Sequence, residues 1–439
     1  MVFSKARTPV WIAVGMIAGG FLLLAVLGCG ERSACPDCGG GDDGGGLALT
    51  QERLVSASNE FAFRLFAALS AEEPDSNVFI SPLSVSMALG MTMNGAAGQT
   101  LEDMLTTLGF PGYSIESADQ CYRDLIDFLV GRDPAVTLEI ANSIWARQGI
   151  PFEQPFLDAC GTYFDATART LDFSRDDAAD TINAWVREKT HDKIDGIVKS
   201  PIPDETWMIL LNAVYFLADW KYQFDPADTR DEWFHPRWGG EAKCRMMSRP
   251  AYSPAEPWAT EIADYRVVLD DRFQAVDLPY GDSLFSMTVV LPRGTWNVDS
   301  VVSWLGPDEW DQLTSGFYTC QGVLRMPRLK LEYAAGLKPA LRLLGMGIAF
   351  EDFADFSKLC RVDQLCIADV RHKAFVRIDE VGTEAAAVTA VEIGPTSVPP
   401  ECGQFLIQVD HPYVFVIREN ATNTILFVAK VTNPGHFED

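Results

Sequence analysis

The chain has 439 residues, and its 61 acidic and 35 basic side chains give a formal net charge of −26 at pH 7. A surface this acidic repels phosphate groups, which argues against nucleic acid as a partner. The length and a hydrophobic content of 48% are sufficient for a large buried core.

Residues 1–28 have the pattern of a targeting segment. Lys5 and Arg7 precede an apolar run over 10–27, and Cys29 follows it. This order is typical of a bacterial lipoprotein signal that is cleaved before Cys29, whose sulfur is then acylated. The alternative is an uncleaved membrane anchor, since the run is nearly long enough to span a bilayer. Both interpretations predict that the rest of the chain is exported.

Residues 29–50 are rich in Gly and Asp and have too few apolar side chains to bury a core. They are predicted to be a flexible tether. Gly30, rather than Asp, follows the acylated cysteine and resembles a sorting signal for the outer membrane or cell surface. Cys35 and Cys38 are interpreted as a local disulfide of this tether. We therefore expect a protein that is lipid-anchored to the bacterial cell envelope.

Residues 51–439 are predicted to form one globular domain. It contains seven cysteines without regular spacing, and an odd number leaves at least one thiol unpaired. Cys360 and Cys366 are near enough in sequence to pair. The seven are Cys121, Cys160, Cys244, Cys320, Cys360, Cys366 and Cys402.

Helical periodicity dominates the first third of this domain. Apolar residues recur at helical spacing over 54–69. Ser81 and Pro82 predict the start of a second helix, with Ser81 as the N-cap and Pro82 in the first turn. That helix is apolar almost all round, which places it in the core. A strand over 137–146 and a helix over 181–195 follow.

Strands dominate the rest of the domain, so that the fold class is α+β. The apolar run over 208–216 contains Asn212 and predicts a central strand that is buried on both faces. The later strands include two hairpins joined by short turns. They are 273–280 with 285–291, 323–331, 373–379, and 413–417 with 425–431.

The segment 380–394 has features of both a loop and a strand. Its alternate residues over 383–393 are uncharged, whereas both charges, Glu384 and Glu392, lie on the opposite face. This alternation is typical of a half-buried strand. A glycine precedes the alternation and Gly394-Pro395 follows it, and these residues are typical of a loop. The segment is therefore predicted to have two structural states.

The hexamer 382–387 resembles the reactive-loop hinge of inhibitory serpins, a family of serine protease inhibitors. Other phrases resemble the same family across nearly all of residues 51–435. They are Asn77–Ser84, Asn183–Val186, Leu211–Phe216, Gln274–Tyr280 and Asp410–Phe415. The resemblance implies a serpin fold of three β-sheets and about nine helices, with an exposed reactive-centre loop at about 380–403. Residues 249–265 resemble an insertion relative to the family.

The resemblance implies a suicide-substrate inhibitor of serine endopeptidases. The protease would cleave the loop and remain in a covalent complex while residues 383–394 insert into the central sheet. Counted from Glu380, the family register places the cleaved bond between Thr396 and Ser397. The hinge would comprise Glu380, Gly382, Thr383, Glu384, Ala385, Ala386 and Ala387. We expect a monomer with no cofactor and no metal site.

The predicted specificity follows from the residue before the cleaved bond. Thr396 is small and β-branched, which suits the shallow pocket of elastase-like or subtilisin-like proteases. No Lys or Arg occurs from residue 378 to 417, and this argues against trypsin-like targets, which need one of them.

Two further groups of residues match positions of the family. The shutter, a polar cluster beneath the strands that part, would comprise Ser81, Ser84, Asn212 and His372. The breach, where the loop first enters the sheet, would comprise Trp220, Arg328 and Glu380. From the residues alone, His372 is equally an ordinary buried histidine. Arg328–Glu380 is equally a surface ion pair worth under about 1 kcal/mol.

Two other functions remain as alternatives. The chain has five histidines and lacks the HExxH, G-x-S-x-G and P-loop patterns, which argues against an enzyme. A non-inhibitory serpin that acts as a binding or carrier module is the second alternative. The intact hinge argues against it, because a carrier has no need for a loop that can enter a sheet.

Overall fold

A computed structural model describes most of the domain as one compact unit. The predicted signal segment, Cys29, most of the tether and residues 251–262 of the predicted insertion lie outside the described residues, and so do 384–403 with the Thr396–Ser397 bond. None of the described helices is long and apolar enough to cross a membrane. The described ranges are 49–204, 206–250, 263–360, 365–383 and 404–435.

Nine α-helices occur in these ranges, and three short helical turns lie at 226–228, 342–346 and 347–350. The α-helices are α1 (Leu49–Glu72), α2 (Pro82–Met93), α3 (Gly98–Thr107), α4 (Ile115–Leu129), α5 (Gln154–Phe164), α6 (Ala178–Lys189), α7 (Val298–Trp304), α8 (Pro307–Ser315) and α9 (Lys338–Leu341).

The second helix, α2, starts and packs as the sequence predicts. The Ser81 side chain accepts a hydrogen bond from the amide of Ser84, and Pro82 occupies the first turn, where its missing N–H costs nothing. Every residue of α2 except Ala88 is buried. The helix therefore lies in the core, and its first turn is held in a fixed position under the sheets.

Sixteen strands form two hydrogen-bonded sheets among the described residues. The central sheet has the order β11-β12-β13-β4-β2-β3, and a ten-stranded sheet holds the others. The strands are β1 (Val78–Ile80), β2 (Val136–Arg147), β3 (Thr167–Leu171), β4 (Met208–Asp219), β5 (Arg230–Phe234), β6 (Ala242–Arg249), β7 (Ala263–Leu269), β8 (Phe273–Tyr280), β9 (Phe285–Pro292), β10 (Tyr318–Pro327), β11 (Leu329–Gly336), β12 (Arg371–Ile378), β13 (Gly382–Thr383), β14 (Phe405–Gln408), β15 (Tyr413–Glu419) and β16 (Ile425–Val431).

Two of the three expected sheets are continuous in the described residues because one long strand belongs to both. The first half of β10 pairs with β7 through Tyr318–Gly322. Its second half pairs with β6 through Leu324–Pro327, and β14 runs parallel to it. The ten-stranded sheet therefore combines the second and third sheets of the expected fold.

The strand predicted over 323–331 is two strands, and that prediction is wrong at one point. β10 ends at Pro327, which has no N–H to donate, and β11 begins at Leu329. Between them, the Arg328 amide donates to the carbonyl of Arg245, while its guanidinium points to Glu380. The chain thus changes sheet at Arg328.

The central strand β4 is covered on both faces as predicted, but it is buried less completely than the sequence suggested. Along β4, fully buried residues are interrupted by half-buried ones. One face packs on the main core, and the other lies against a smaller apolar core that α6 supplies with Ile182 and Trp185. The helix α6 therefore covers the outer face of the central sheet.

The pairing of Cys360 with Cys366 that the sequence allowed is not formed. Both side chains are thiols and not half-cystines. Cys360 is fully buried, whereas Cys366 is partly exposed.

Asp119 is an acidic side chain buried between α4 and the end of α2. Only 1% of its surface is exposed, and its Oδ1 accepts a hydrogen bond from Asn94 Nδ2 at 2.9 Å. Burial raises the pKa of Asp119 from 3.8 to about 7, although the Asn94 bond opposes part of the rise. Between these two pH values the folded state keeps a proton that the unfolded state loses, so the free energy of unfolding falls as the pH rises.

We expect Asp119→Asn to stabilise the protein at pH 8 and to have little effect at pH 4. The amide resembles the protonated acid and has no proton to lose, so the gain is up to about 4 kcal/mol above pH 7. Denaturant midpoints at both pH values measure the effect, with the exposed Glu102→Gln on α3 as control. A gain in stability of equal size at pH 4 and pH 8 would contradict the raised pKa of Asp119.

Candidate site for strand insertion

The central sheet has a gap between β4 and β12. On their other edges, β4 pairs with β2 and β12 pairs with β11 along their lengths. On the facing edges, the described residues provide only β13, which pairs with Ala218 of β4 and Ile378 of β12. Over 208–217 and 371–377 the two edges therefore face each other with no described strand between them.

Two small cavities of about 20 Å³ each lie along this gap. The first lies beside Thr383, between Phe216 and Val376. The second lies beside Asn212 and His372. Cavities of this size hold a water molecule at most. A complete strand would therefore require β4 and β12 to separate by about one strand spacing, 4.8 Å.

The first hinge residues already lie at one end of the gap. The reactive-centre loop was predicted to be exposed from about residue 380, but Glu380, Gly382 and Thr383 are buried. The Thr383 side chain is 2% exposed, and its hydroxyl lies 2.5 Å from that of Tyr280. The prediction of an exposed loop is thus wrong for these residues, because strand pairing and a buried hydrogen bond hold them in the sheet.

Gly382 is required by the close approach of β4. A Cβ atom at this position would lie 2.1 Å from the carbonyl oxygen of Ala218 and 2.7 Å from the Cα of Asp219. Both neighbours are backbone atoms of a paired strand and cannot move independently. Any side chain at position 382 would therefore force β13 away from β4.

The predicted breach residues meet at the same end of the gap. The Trp220 indole is stacked on Tyr280, with ring centroids 4.5 Å apart and an angle of 12° between the planes. Its Nε1 donates to the carbonyl of Asp379 at 2.9 Å, and its amide donates to the carbonyl of Val381 at 2.8 Å. Trp220 thus fixes the chain immediately before β13.

The ion pair between Arg328 and Glu380 is buried, so the interpretation as a surface pair is wrong. The Arg328 side chain is 12% exposed and the Glu380 side chain 5%. The Arg328 Nε donates to both carboxylate oxygens at 2.8 and 2.9 Å, and the Thr229 hydroxyl donates to one of them. Removing one partner of such a pair costs about 3–5 kcal/mol.

The four predicted shutter residues lie together at the middle of the gap. The Ser81 amide donates to His372 Nε2 at 3.2 Å, and the Ser84 hydroxyl donates to the Asn212 carbonyl at 3.4 Å. Burial lowers the pKa of His372 to about 4, so the ring is neutral at pH 7 and its Nε2 can accept. The cluster therefore links α2 to both strands that flank the gap.

Asn212 has a buried side-chain oxygen that accepts no hydrogen bond from the described residues. Its Nδ2 donates to Asn142 Oδ1 at 2.7 Å, and Asn142 in turn donates to the carbonyl of Phe164 at 2.6 Å. An unsatisfied buried acceptor costs about 1–3 kcal/mol. The middle of the gap is thus a place where an added hydroxyl group would be stabilised.

Three contributors to the site are absent from the predicted residues, namely Tyr280, Thr229 and Asn142. Tyr280 ends one of the phrases that resemble the family, and this signal could have identified it. Thr229 and Asn142 lie next to the predicted residues only in the folded chain, so the sequence offers no signal for them.

The outer side of the gap is covered by α6 and the residues that follow it. Thr190 and Ile194 line the first cavity, and the Lys193 ammonium lies 5.7 Å from the ring of Phe375 in β12. Asn183 of α6 exchanges two hydrogen bonds with the backbone of Val198, which holds this segment in place. A strand that enters the gap must therefore displace part of this cover.

The site consists of strand edges and positioning contacts. No group of three or more His, Cys, Asp or Glu side chains in the described ranges is arranged to hold a metal ion.

A model of the family described as "Serpin (serine protease inhibitor)" matches residues 56–434. This chain belongs to the serpin family.

Relatives and solved structures agree with this assignment. Iripin-2 of Ixodes ricinus is 32% identical to this serpin over 388 residues, which are 88% of this chain and 94% of the relative. The leukocyte elastase inhibitor of Bos taurus is 31% identical over 400 residues, 87% of this chain and 100% of the relative. A crystal structure of human thyroxine-binding globulin has a TM-score of 0.76 at 27% identity, and the match covers 88% of this chain and 100% of that chain.

The comparisons confirm the predicted serpin fold of the α+β class. They also support a family of protease inhibitors rather than enzymes, although some serpins are non-inhibitory. The roles of the hinge, shutter and breach residues in this serpin remain predictions.

We expect Gly382→Ala to expel β13 from the sheet, because the added methyl group overlaps the backbone of β4. The uncleaved protein should unfold at a lower temperature and be cut faster by proteases near residue 382. Gly161→Ala in α5, where a Cβ meets nothing within 4 Å, is the matched control and should behave as wild type. If Gly382→Ala had the melting temperature and the rate of proteolysis of the wild type, the pairing of β13 with β4 would be loose.

Proposed function

We propose that this serpin inhibits serine endopeptidases by trapping them as its cleaved loop inserts into the central sheet. The position of Thr383 carries the proposal, since the hinge already occupies one end of the gap before any cleavage. The chain that follows Thr383 is directed along the gap by the antiparallel pairing of β13 with both neighbours. Insertion would therefore continue a pairing that has already begun.

The pairing of β13 also supports a register for the whole insertion. Thr383 pairs with Ala218 and Ile378, and the same antiparallel register places Thr389 opposite both Asn212 and His372. The Thr389 hydroxyl would then lie near the unsatisfied oxygen of Asn212, which it can satisfy as a donor. On this proposal, the shutter is the place that receives Thr389.

The charges of the loop also fit this register. Residues on the same face as Thr383 point to the core, and those over 383–393 are uncharged. Glu384 and Glu392 would point to the outer face, and Glu384 would lie directly opposite Arg377. Opposite charges on paired strands stabilise a sheet by about 0.2–1 kcal/mol.

The side chains that enter the core determine whether the free energy of insertion is favourable. Each new ladder bond contributes about 1 kcal/mol, and ordering each residue costs about 1–2 kcal/mol, so these terms roughly cancel. The apolar side chains that enter the core decide the sign, at up to about 3 kcal/mol each and least for alanine. A buried unpaired charge would cost several kcal/mol.

The trapped intermediate would be an ester between the protease serine and the carbonyl of Thr396, with Ser397 as the new amino terminus. Thr396 favours elastase-like or subtilisin-like targets. The name of the bovine relative, leukocyte elastase inhibitor, supports the first class. Insertion after this step would carry the bound protease away from its starting position before the ester is hydrolysed.

We also propose that the protein acts outside the cytoplasm, as a monomer tethered through a lipid on Cys29. The basic residues, the apolar run and the cysteine near the start of the chain support this location. An inhibitor held at the bacterial cell surface would meet secreted proteases directly.

A non-inhibitory binding or carrier role is the second candidate. The structural similarity to thyroxine-binding globulin, a protein solved in complex with thyroxine, is the observation that favours it. The two functions differ in one respect that is easily measured, since a carrier forms no covalent complex with a protease.

We expect the wild-type protein to form a complex with pancreatic elastase or subtilisin that survives SDS, and to form none with trypsin. Thr383→Arg should release β13 from the sheet of the intact protein and be cleaved as a substrate, because a guanidinium beside Tyr280 would be buried without a partner both before and after cleavage. Thr383→Ser keeps the hydroxyl and should retain most of the complex. Gel electrophoresis and mass spectrometry of the released peptide measure both outcomes. A stable complex with Thr383→Arg, or cleavage mainly outside residues 393–398, would contradict the proposal.

A further inference from the structure

The turn between β14 and β15 contains a histidine with an acceptor beside each ring nitrogen. His411 Nδ1 lies 2.9 Å from Oδ1 of Asp410, and its Nε2 lies 3.0 Å from the carbonyl oxygen of Pro292 at the end of β9. An ionised carboxylate and a carbonyl can only accept, so both ring nitrogens must carry a proton to bond both partners. The geometry therefore favours the imidazolium form of His411.

A relay of hydrogen bonds connects this histidine to β14 and β10. The Oδ2 atom of Asp410 accepts from Gln408 Nε2 at 2.8 Å, and Gln408 Oε1 accepts from Arg325 Nη1 at 2.8 Å. Arg325 Nη2 donates to Glu232 of β5. In the backbone, the Val409 amide donates to the carbonyl of Arg325 at 2.8 Å. The relay therefore ties the end of β14 to β5, β9 and β10.

The strand β14 has little else to hold it in the sheet. It has four residues, and β10 is the one strand that pairs with it in the described part of the chain. The side chains at its end are therefore placed to decide how firmly it is attached. We propose that Arg325, Gln408, Asp410 and His411 form a pH-dependent latch, which holds β14 on β10 at mildly acidic pH and loosens when His411 loses its proton.

Two opposed pKa shifts set the pH window of the latch. Burial alone would lower the pKa of His411, but the bonds to Asp410 and Pro292 outweigh it and raise the pKa above its usual 6.5. Burial alone would raise the pKa of Asp410, but the bonds from His411 and Gln408 hold it below 3.8. The stabilising effect is therefore present between about pH 4 and 6.5, and it is lost as the pH rises through the raised pKa of His411. The His411 side chain is 38% exposed, so solvent screening keeps the effect modest.

The other titratable groups near the latch act on Asp410 or on one another. The His235 amide donates to the carbonyl of Asp410 at 2.7 Å, and its ring, when charged, favours the ionised form of that carboxyl group. Glu232 and Arg325 form an ion pair. Burial raises the pKa of the Cys244 thiol in β6 to about 12, so it stays uncharged. Among the described neighbours, His235 is thus the other group whose charge could change between pH 6 and 8.5.

The consequence for inhibition rests on the function proposed above, whereas the latch itself does not. β14 is the first described strand after the predicted reactive-centre loop. Its release would add four residues, about 13 Å of extended chain, to the segment that follows the loop. An uncut loop could then enter the gap further before its carboxyl side is fully extended. The latch would thus protect the uncleaved inhibitor at mildly acidic pH and less so at alkaline pH.

NMR of the histidine ring nitrogens tests the protonation of His411 in the full-length protein. The chain has five histidines, so the signal that is missing in His411→Gln identifies the residue. We expect both ring nitrogens to be protonated at pH 6, with a titration midpoint above the ordinary 6.5 that falls in Asp410→Asn. A midpoint at or below 6.5, or one that Asp410→Asn leaves unchanged, would overturn the proposal.

Hydrogen exchange of peptides that cover 404–410 measures the attachment of β14. After correction for the intrinsic pH dependence of exchange, we expect the wild-type rate to rise about two- to fivefold from pH 6 to pH 8.5. His411→Gln should have the higher corrected rate at both pH values. His191→Gln is the matched control and should behave as wild type, because His191 also lies beside a carboxylate, Glu139 at 3.1 Å, but outside the latch.

The outcomes separate the latch from its alternatives and from the proposed function. Equal corrected rates for wild type and His411→Gln at pH 6 would overturn the latch. So would a pH dependence that disappears in His235→Gln and persists in His411→Gln. With the expected exchange pattern, the uncut wild type should convert to a heat-resistant form of unchanged mass about two- to fivefold faster at pH 8.5 than at pH 6. The same pattern without any covalent protease complex would contradict the inhibitory function and not the latch.

Discussion

The facing edges of β4 and β12 form the constraint on which the rest of the structure depends. Two strands that lie in one sheet are hydrogen-bonded through β13 at one end and approach each other without a described strand over the remainder. Backbone groups on such edges gain hydrogen bonds when another strand joins them. The contacts of Trp220, Glu380 and Thr383 hold the start of the next strand at the end of the gap.

The polar residues of this core lie together at the middle of the gap. His372 and Asn212 flank the gap, and α2 supplies the serines that hold them from below. A fully apolar core at this level would offer no hydrogen-bond partners to a threonine that arrives later. The unsatisfied oxygen of Asn212 is thus a local cost that the inserted state can remove.

The sequence predicted the parts of the site that depend on local patterns. The alternation over 383–393 identified the inward face, and the outcome for Thr383 agrees with it because this side chain points into the core. The N-cap at Ser81 and the burial of α2 followed from the local sequence alone. Contacts between residues that are far apart in the sequence were not predictable. Examples are the hydrogen bond between Tyr280 and Thr383 and the burial of the ion pair between Arg328 and Glu380. The break at Arg328 was also missed, since a strand pattern over 323–331 does not record which sheet each half joins.

The central claim is that the intact protein is held in a state less stable than one it can reach after cleavage. Melting temperatures of the intact protein and of the same protein cut once in the loop test this most directly, with circular dichroism as the readout. A completed central sheet predicts that the cut form melts at a much higher temperature than the intact form. Equal melting temperatures, or a lower one after cleavage, would contradict the account.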